Sequence, residues 1–273
     1  MKNRVYLVTG ATSGIGRALA LRAAQAGDTV FAGVRELSRA PSSENIRPIQ
    51  LDVTNPEDVR RASETILQQC GNIDVLVNNA GFGVYGAFEE LSEEQIRAQM
   101  ETNYFGCLAM ARAVLPSMRE RRSGTIINVS SILGRITIPT GSAYTASKYA
   151  IEAFTESLRQ EVKPFGIQVF AVEPGLIRTS FKQNMVKSHA VQKNDSPYAF
   201  LNRMIQKEYS GFSTSQERAA DRIYKLSQKK RPARRYRVGL DASFYYTLSR
   251  ILPDSLLDNL VALGVRREFK KTS

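Results

Sequence analysis

Three side chains in the middle of the sequence have the types and spacing that proton transfer requires. Tyr144 and Lys148 are four residues apart, and Ser131 precedes the tyrosine by thirteen. Residues four apart share one face of a helix, and a neighbouring ammonium favours the phenolate and lowers the tyrosine pKa. Tyr144 is therefore predicted to exchange a proton with an alcohol or a carbonyl oxygen, which the Ser131 hydroxyl would stabilise. Ser130 is the alternative for the serine role.

A glycine-rich segment near the N-terminus predicts that a nucleotide binds to this protein. The segment Thr9-Gly10-Ala11-Thr12-Ser13-Gly14-Ile15-Gly16 follows an apolar run and opens a helical pattern. Glycines in such a turn let the backbone approach a pyrophosphate closely, and the first N–H groups of the helix face the phosphates. We therefore expect Gly10, Thr12, Ser13, Gly14, Ile15 and Gly16 to bind a dinucleotide.

The end of the second predicted strand indicates which dinucleotide is used. A carboxylate there would accept hydrogen bonds from the adenine ribose, whereas an arginine favours a 2′-phosphate. The strand ends Gly33-Val34-Arg35, so NADP(H) is the predicted cofactor and NAD(H) the alternative. Asp52, with Val53 beside it, is placed to meet the adenine, although Asp52 is also explained as an acid that flanks a helix.

Small and amide residues follow the fourth predicted strand. In Asn78-Asn79-Ala80-Gly81, the small side chains of Ala80 and Gly81 would let the cofactor ribose approach the backbone. The amides, Asn79 included, can connect neighbouring strand ends. Lys148 can also hold the nicotinamide ribose hydroxyls, and an oxidised nicotinamide ring would lower the tyrosine pKa further.

Alternating strand and helix patterns position these motifs. The predicted strands are Val5–Val8, Val30–Val34, Ile46–Leu51, Val75–Val77, Thr125–Val129 and Gln168–Val172. The predicted helices run from Ile15 to Ala26, from Asn55 to about Gln69 and from Tyr144 to Lys163; a capping box at Ser92 opens a further helix, and a second helical stretch continues through about Arg119. This alternation predicts an α/β fold, a single Rossmann-type, doubly wound parallel sheet with helices on both faces.

The alternation is not recognisable after Gly175. Residues 176–215 are polar and resemble a lid, a basic run extends from Lys225 to Arg237, and Ser243 to Leu263 is amphipathic with a break at Pro253. We therefore expect one domain over residues 1–273, with a core of about 1–180 and a substrate-covering lid and C-terminal extension of about 181–273.

Composition restricts the location and the partners. The 273 residues carry a net charge of +12, and no apolar run approaches the ~20 residues that cross a bilayer. The absence of a recognisable secretory signal and the two cysteines, Cys70 and Cys107, predict a reduced, cytoplasmic location. With His189 as the one histidine, no metal site is expected. The basic run is expected to be a solvated face, with an anionic membrane surface as the alternative; nucleic acid is not expected, because no aromatic residues are interleaved.

The motifs together resemble the short-chain dehydrogenase/reductase family over about residues 4–180. The resemblance places the family's catalytic tetrad on Asn103, Ser131, Tyr144 and Lys148. It implies that Asn103 kinks a helix and holds a water that connects the lysine to solvent. It also implies that the backbone of Pro174, Gly175, Ile177 and Thr179 meets the nicotinamide carboxamide.

The tail more loosely resembles the branch of 17β-hydroxysteroid and retinol dehydrogenases. The resemblance implies an NADP(H)-dependent oxidoreductase for a small hydrophobic alcohol or carbonyl substrate of steroid, retinoid or fatty type. It also implies a homodimer or homotetramer that pairs through the helices near residues 96–120 and 144–163. Two alternatives remain open: a non-catalytic NADP(H)-binding regulatory or scaffold protein, and a membrane-surface-associated reductase that uses the basic tail.

Overall fold

One parallel sheet forms the centre of the molecule. The computed structural model describes residues 3–179, 181, 185–187, 196–201 and 213–271. The sheet strands are β1 (Val5–Thr9), β2 (Thr29–Val34), β3 (Ile46–Gln50), β4 (Val75–Asn78), β5 (Gly124–Val129), β6 (Ile167–Pro174) and β7 (Arg235–Val238). Their order is β7-β6-β5-β4-β1-β2-β3, and all neighbours pair in parallel. The chain therefore has the predicted doubly wound fold.

Helices cover both faces of the sheet. They are α1 (Gly14–Gln25), α2 (Pro56–Cys70), α3 (Glu93–Met100), α4 (Gly106–Glu120), α5 (Ser142–Val162), α6 (Gln216–Ser227), α7 (Leu240–Ile251) and α8 (Asp254–Lys270). Side chains of α1 and α6 pack in one apolar cluster, and those of α2, α4 and α5 pack in another. Successive residues of β1 alternate between the two clusters, because side chains point to opposite faces along a strand. The sheet is therefore buried on both sides.

Local signals in the sequence account for several helix ends. Asn55 caps α2 by accepting hydrogen bonds from the Glu57 and Asp58 backbone N–H groups, and Gly71 ends the helix in the left-handed region at φ 73°. Ser92 and Gln95 form the predicted capping box at the start of α3. The helix predicted to open at Ser92 and the second helical stretch are present as α3 and α4, and residues Glu101–Phe105 form a π-helical turn between them.

The core continues beyond residue 180, which corrects the predicted boundary. Helix α6 contributes buried Ala219, Ala220 and Ile223 to the cluster that contains α1, and β7 adds a seventh strand beside β6. The basic run is therefore not simply a solvated face, because Arg235 lies within β7 and pairs with Glu152 at 2.7 Å. Charged residues are typical of edge strands, which explains why this strand lacked an apolar signal.

The segments around the sheet's carboxyl edge complete the fold. Two-residue strands pair Val84–Tyr85 with Val186–Lys187 and Ile177–Arg178 with Thr214–Ser215. Most of the predicted lid over 176–215 lies outside the described residues, as does His189. The predicted break at Pro253 is confirmed, since it separates α7 from α8. Among the described helices, none has the length and apolarity to cross a membrane.

Candidate active site

A single cleft of about 1640 Å³ runs along the carboxyl ends of the strands. In doubly wound sheets this edge is where ligands bind, next to the point at which the strand order reverses. The predicted site residues that line it are Gly10, Thr12, Ser13, Gly14, Ile15, Arg35, Asp52, Val53, Asn79, Ala80, Gly81, Ser131, Tyr144, Lys148, Pro174, Gly175, Ile177 and Thr179. Two of the predicted site residues, Gly16 and Asn103, do not line the cleft.

The glycine-rich turn leaves room for a ligand against the backbone. Gly10 and Gly14 have φ values of 65° and 57°, in the left-handed region that favours glycine. Ser13 immediately precedes α1, and its side chain makes no capping hydrogen bond to the first turn. The first N–H groups of α1 and the Ser13 hydroxyl therefore form a donor set that suits phosphate. Gly16 instead packs under the turn, where a Cβ atom would collide with the Asn79 amide.

Asn79 ties two strand ends together beneath this turn. Its Nδ2 donates to the carbonyl oxygens of Thr9 at 2.9 Å and Gly10 at 3.1 Å. The Thr9 hydroxyl in turn accepts hydrogen bonds from the backbone N–H groups of Asn79 and Ala80. The amide thus holds the glycine-rich turn against β4, and the expected connection between strand ends is present.

Two arginines line the cleft at the end of β2. Arg35 follows β2, and Arg39, which the sequence analysis did not single out, also lines the cleft. Both are exposed, and Arg39 pairs with Glu36 at 3.6 Å. Asp52 lines the opposite wall and accepts hydrogen bonds from the Thr54 backbone N–H at 2.9 Å and hydroxyl at 2.7 Å. Asp52 therefore also stabilises its own turn.

Tyr144 lies in an aromatic and largely apolar surrounding. Its ring centroid is 5.5 Å from that of Tyr85 and 5.8 Å from that of Phe181. Burial raises the pKa of Tyr144 to about 12, and the interaction with the Ser131 hydroxyl offsets part of this rise. The expected lowering of the tyrosine pKa is therefore absent from this structure, because desolvation disfavours the phenolate more than its neighbours favour it.

Lys148 lies one turn after Tyr144 on α5, behind the tyrosine ring. Its Nζ is 5.6 Å from the ring centroid and donates a hydrogen bond to the Val129 carbonyl at 2.9 Å. Burial lowers the pKa of Lys148 to about 8, although Cys107 and Glu152 act in the opposite direction. The Lys148 ammonium is thus buried and held in place, and the neighbouring groups offset only part of the cost of burying its charge.

Asn103 lies in the π-helical turn and is fixed by three hydrogen bonds. Its Oδ1 accepts from the Phe82 N–H at 3.1 Å, and its Nδ2 donates to the Phe82 carbonyl and to the Ser147 hydroxyl, both at 3.0 Å. Together with Val129 it lines a separate cavity of about 10 Å³. This volume is near the minimum for one water molecule, so the position suits the water-holding role that the family resemblance implies.

The two candidate serines have different surroundings. The Ser131 hydroxyl accepts a hydrogen bond from the Leu133 N–H at 3.1 Å and lowers the Tyr144 pKa. The Ser130 hydroxyl is buried beside Gly134 and has no hydrogen-bond partner among the described residues. The geometry favours Ser131 as the serine that faces the tyrosine.

Asp241 is a residue that the sequence analysis missed. It lies in the first turn of α7 and is 3% exposed. Its Oδ2 accepts a hydrogen bond from the Leu176 N–H, directly after Pro174-Gly175. No motif marks this aspartate, because its partner is a backbone group 65 residues earlier.

The remaining cleft wall is mostly apolar and comes from the loop before α5 and from the C-terminal helices. It includes Ile136, Ile138, Pro139, Met185, Val186, Leu248, Leu257, Leu260 and Val261. Asp254 and Asp258 also line this end. An extended hydrophobic molecule would find contacts here next to Tyr144.

The fold and the site together define a family. A model of the short chain dehydrogenase family matches residues 4–190. The chain belongs to this family and is a short-chain oxidoreductase. This conclusion agrees with the resemblance that the motifs indicated.

Individual relatives extend along nearly the whole chain. A protein from Bacteroides thetaiotaomicron named 3-ketodihydrosphingosine reductase is 39% identical over 263 residues, which are 94% of this chain and 96% of that protein. A short-chain dehydrogenase from Streptomyces avermitilis is 35% identical with a TM-score of 0.81 and full coverage, 100% of both chains. A Burkholderia cenocepacia short chain dehydrogenase in complex with NADP is 29% identical with a TM-score of 0.76, covering 95% of this chain and 98% of that one.

Proposed function

We propose that this chain uses NADP(H) to interconvert a hydrophobic ketone and its alcohol, with Tyr144 as the acid and base. The observation that carries the proposal is that Ser131, Tyr144 and Lys148 line the same cleft as the glycine-rich turn. When bound, the nicotinamide cofactor supplies the hydride chemistry. The side chains of this site then need only bind, orient and transfer one proton.

The surroundings of Tyr144 suit the general acid that carbonyl reduction requires. A phenol whose pKa is raised to about 12 is protonated at neutral pH, as a general acid must be. Tyr144 would donate its proton to the carbonyl oxygen, which the Ser131 hydroxyl would hold in place. Lys148 would bind the ribose hydroxyls, and Asn103 would keep the lysine connected to solvent through a water.

The residues present fit a phosphorylated dinucleotide. The Ser13 hydroxyl and the first N–H groups of α1 suit the pyrophosphate, and Arg35 with Arg39 supplies two cations for a 2′-phosphate. Asp52 and Val53 would meet the adenine, while Asn79, Ala80 and Gly81 would face the ribose. The backbone of Pro174, Gly175, Ile177 and Thr179 would hold the carboxamide. The NADP complex of the Burkholderia relative supports the choice of NADP(H).

A long-chain, fatty-type ketone is the substrate class that we favour. The cleft of about 1640 Å³ exceeds the ~300–1,000 Å³ of most small-molecule pockets, so it has room for a cofactor and an extended substrate. Its apolar end, with Leu257 and Leu260, would bury an alkyl chain. The relative named 3-ketodihydrosphingosine reductase supports this choice over steroids and retinoids.

Replacement of Tyr144 by phenylalanine tests the catalytic role. We expect Tyr144→Phe to lower kcat by roughly 10²–10⁴-fold while NADPH still binds, because only the transferable proton is lost. NADPH oxidation should be followed with long-chain, steroid and retinoid ketones. Tyr224→Phe is the matched control, since Tyr224 is a partly buried tyrosine on α6 outside the cleft whose hydroxyl binds Asp28. Full turnover by Tyr144→Phe would disprove the proposed role, and NADPH binding without turnover of any ketone would favour a non-catalytic binding protein.

Replacement of the two arginines tests the cofactor preference separately. We expect Arg35→Ser and Arg39→Ser each to raise KM for NADPH by about tenfold and to leave KM for NADH almost unchanged, because only NADPH carries the 2′-phosphate. Steady-state kinetics with both cofactors measures this difference. A wild-type KM that is markedly lower for NADH than for NADPH would refute the preference.

A further inference from the structure

Most of the exposed large hydrophobic side chains of the described residues lie on α7 and α8. On α7, Leu240, Phe244 and Ile251 are 80%, 62% and 72% exposed, and their spacing of four and seven residues places them on one side of the helix. Asp241 and Ala242 of the same helix are buried. Helix α7 therefore packs on the protein through one side and exposes an apolar side.

Helix α8 also exposes an apolar side. Leu256, Leu260 and Leu263 share one side of this helix and are all exposed. Within α8, Glu268 is the one buried residue, although the helix is 17 residues long. Large exposed apolar patches indicate interaction sites in proteins generally. We call the exposed apolar sides of α7 and α8, defined by Leu240, Phe244, Ile251, Leu256, Leu260 and Leu263, the C-terminal apolar face.

Positive charge accompanies this face. Arg250, Arg266, Arg267 and Lys270 of α7 and α8 are exposed, whereas Asp254 and Asp258 are the exposed acids of these two helices. A second copy docked on this face would bring like charges together, whereas anionic lipid headgroups would complement them.

We propose that the C-terminal apolar face docks on the surface of an anionic lipid bilayer. The apolar side chains would enter the boundary between headgroups and acyl chains, and the cations would meet the headgroup phosphates, as in interfacial amphipathic helices. Leu260 and Val261 also line the substrate cleft, so the docking face continues into the cleft wall. This inference goes beyond the proposed function and does not depend on it, because docking requires no turnover.

Vesicle co-sedimentation of the full chain tests the proposal. The probes are vesicles of phosphatidylcholine alone and vesicles of phosphatidylcholine mixed with phosphatidylglycerol. We expect at least about tenfold stronger partitioning onto the anionic vesicles, reduced by high salt, because each basic residue near the surface contributes to attraction. Equal partitioning onto both vesicle types, or none onto either, would overturn the proposal.

Matched variants locate the contact. Phe244→Ser, Ile251→Ser and Leu256→Ser combined should lower partitioning by at least about tenfold, because the buried apolar area on the membrane is lost. Phe88→Ser is the control, since Phe88 is 71% exposed but belongs to neither α7 nor α8. Circular dichroism and NADPH binding check that both variants fold. Unchanged partitioning of the triple variant would refute the proposal. Light scattering that shows two copies of the chain joined through the C-terminal apolar face would refute it as well.

Discussion

Glu173 is an acidic residue buried within the sheet, where its carboxylate is shielded from solvent. It lies in β6, next to the Pro174-Gly175 segment for which we propose contact with the cofactor, and is 1% exposed. Burial and the charge of Glu152 raise the pKa of Glu173 to about 7, although Arg135 and Arg237 act in the opposite direction. Arg235 lies 3.4 Å away and shares its guanidinium with Glu152. A buried cluster of this kind is a poor source of stability but fixes the position of β7.

The Glu173 pKa predicts a pH-dependent stability. The folded state retains the proton between about pH 4.5 and pH 7, where the unfolded state loses it, so this contribution is present at low pH and is lost as the pH rises. Glu173→Gln cannot titrate, and relative to this variant the wild type should lose about 3 kcal/mol between pH 4.5 and pH 8. Urea unfolding of both proteins at several pH values measures the difference. Parallel stability curves would contradict the prediction.

At the residue scale, the sequence places most of the predicted site residues in the cleft, but it predicts neither the apolar end of the cleft nor the electrostatics of the site. The motifs that contain Gly10, Asn79 and Tyr144 are contiguous or nearly so, and the expected residues except Gly16 and Asn103 do line the cleft. The Tyr144 pKa was expected to fall, yet burial raises it. Desolvation depends on Tyr85 and Phe181, which are far from Tyr144 in sequence, so spacing alone could not predict it.

At the scale of elements, the apolar strands were predictable and the last one was not. Strands β1, β2, β4, β5 and β6 are largely apolar or β-branched runs, as buried parallel strands require, whereas the edge strand β3 keeps an isoleucine at its first and fourth positions. Strand β7 has the sequence Arg-Tyr-Arg-Val, and its identity depends on the acids of α5 and β6 that receive Arg235. Such complementarity between distant segments leaves no periodic signal in one sequence.

Helix α7 is connected through Asp241 to the loop after Gly175, for which we propose contact with the cofactor, and this connection leads to a prediction for the helix. Asp241→Ala should raise the dissociation constant for NADPH by about tenfold, because the Leu176 N–H loses its carboxylate acceptor and the loop after Gly175 loses its support. Asp241→Asn keeps an acceptor oxygen and should restore most of the affinity. Fluorescence titration with NADPH measures both. If the alanine variant bound NADPH as tightly as the wild type, the loop would not depend on α7.

At the scale of the whole molecule, exposed apolar side chains of the described residues are not confined to the C-terminal apolar face. Phe105, in the π-helical turn between α3 and α4, is 48% exposed. The family resemblance implies pairing through the helices near residues 96–120 and 144–163, which include Phe105 but not α7 or α8. We therefore expect Phe105 to meet a second copy and the C-terminal apolar face to meet a lipid surface.

This separation predicts how the assembly responds to mutation. We expect light scattering at micromolar concentration to give two or four times the chain mass of 30.4 kDa. Phe105→Asp should lower this mass, because it would place an unpaired charge in the interface. Phe244→Ser should leave the mass unchanged, since Phe244 lies on the C-terminal apolar face. A monomeric wild type would contradict the implied oligomer, whereas a mass lowered by Phe244→Ser alone would show that the chain pairs through its C-terminal helices.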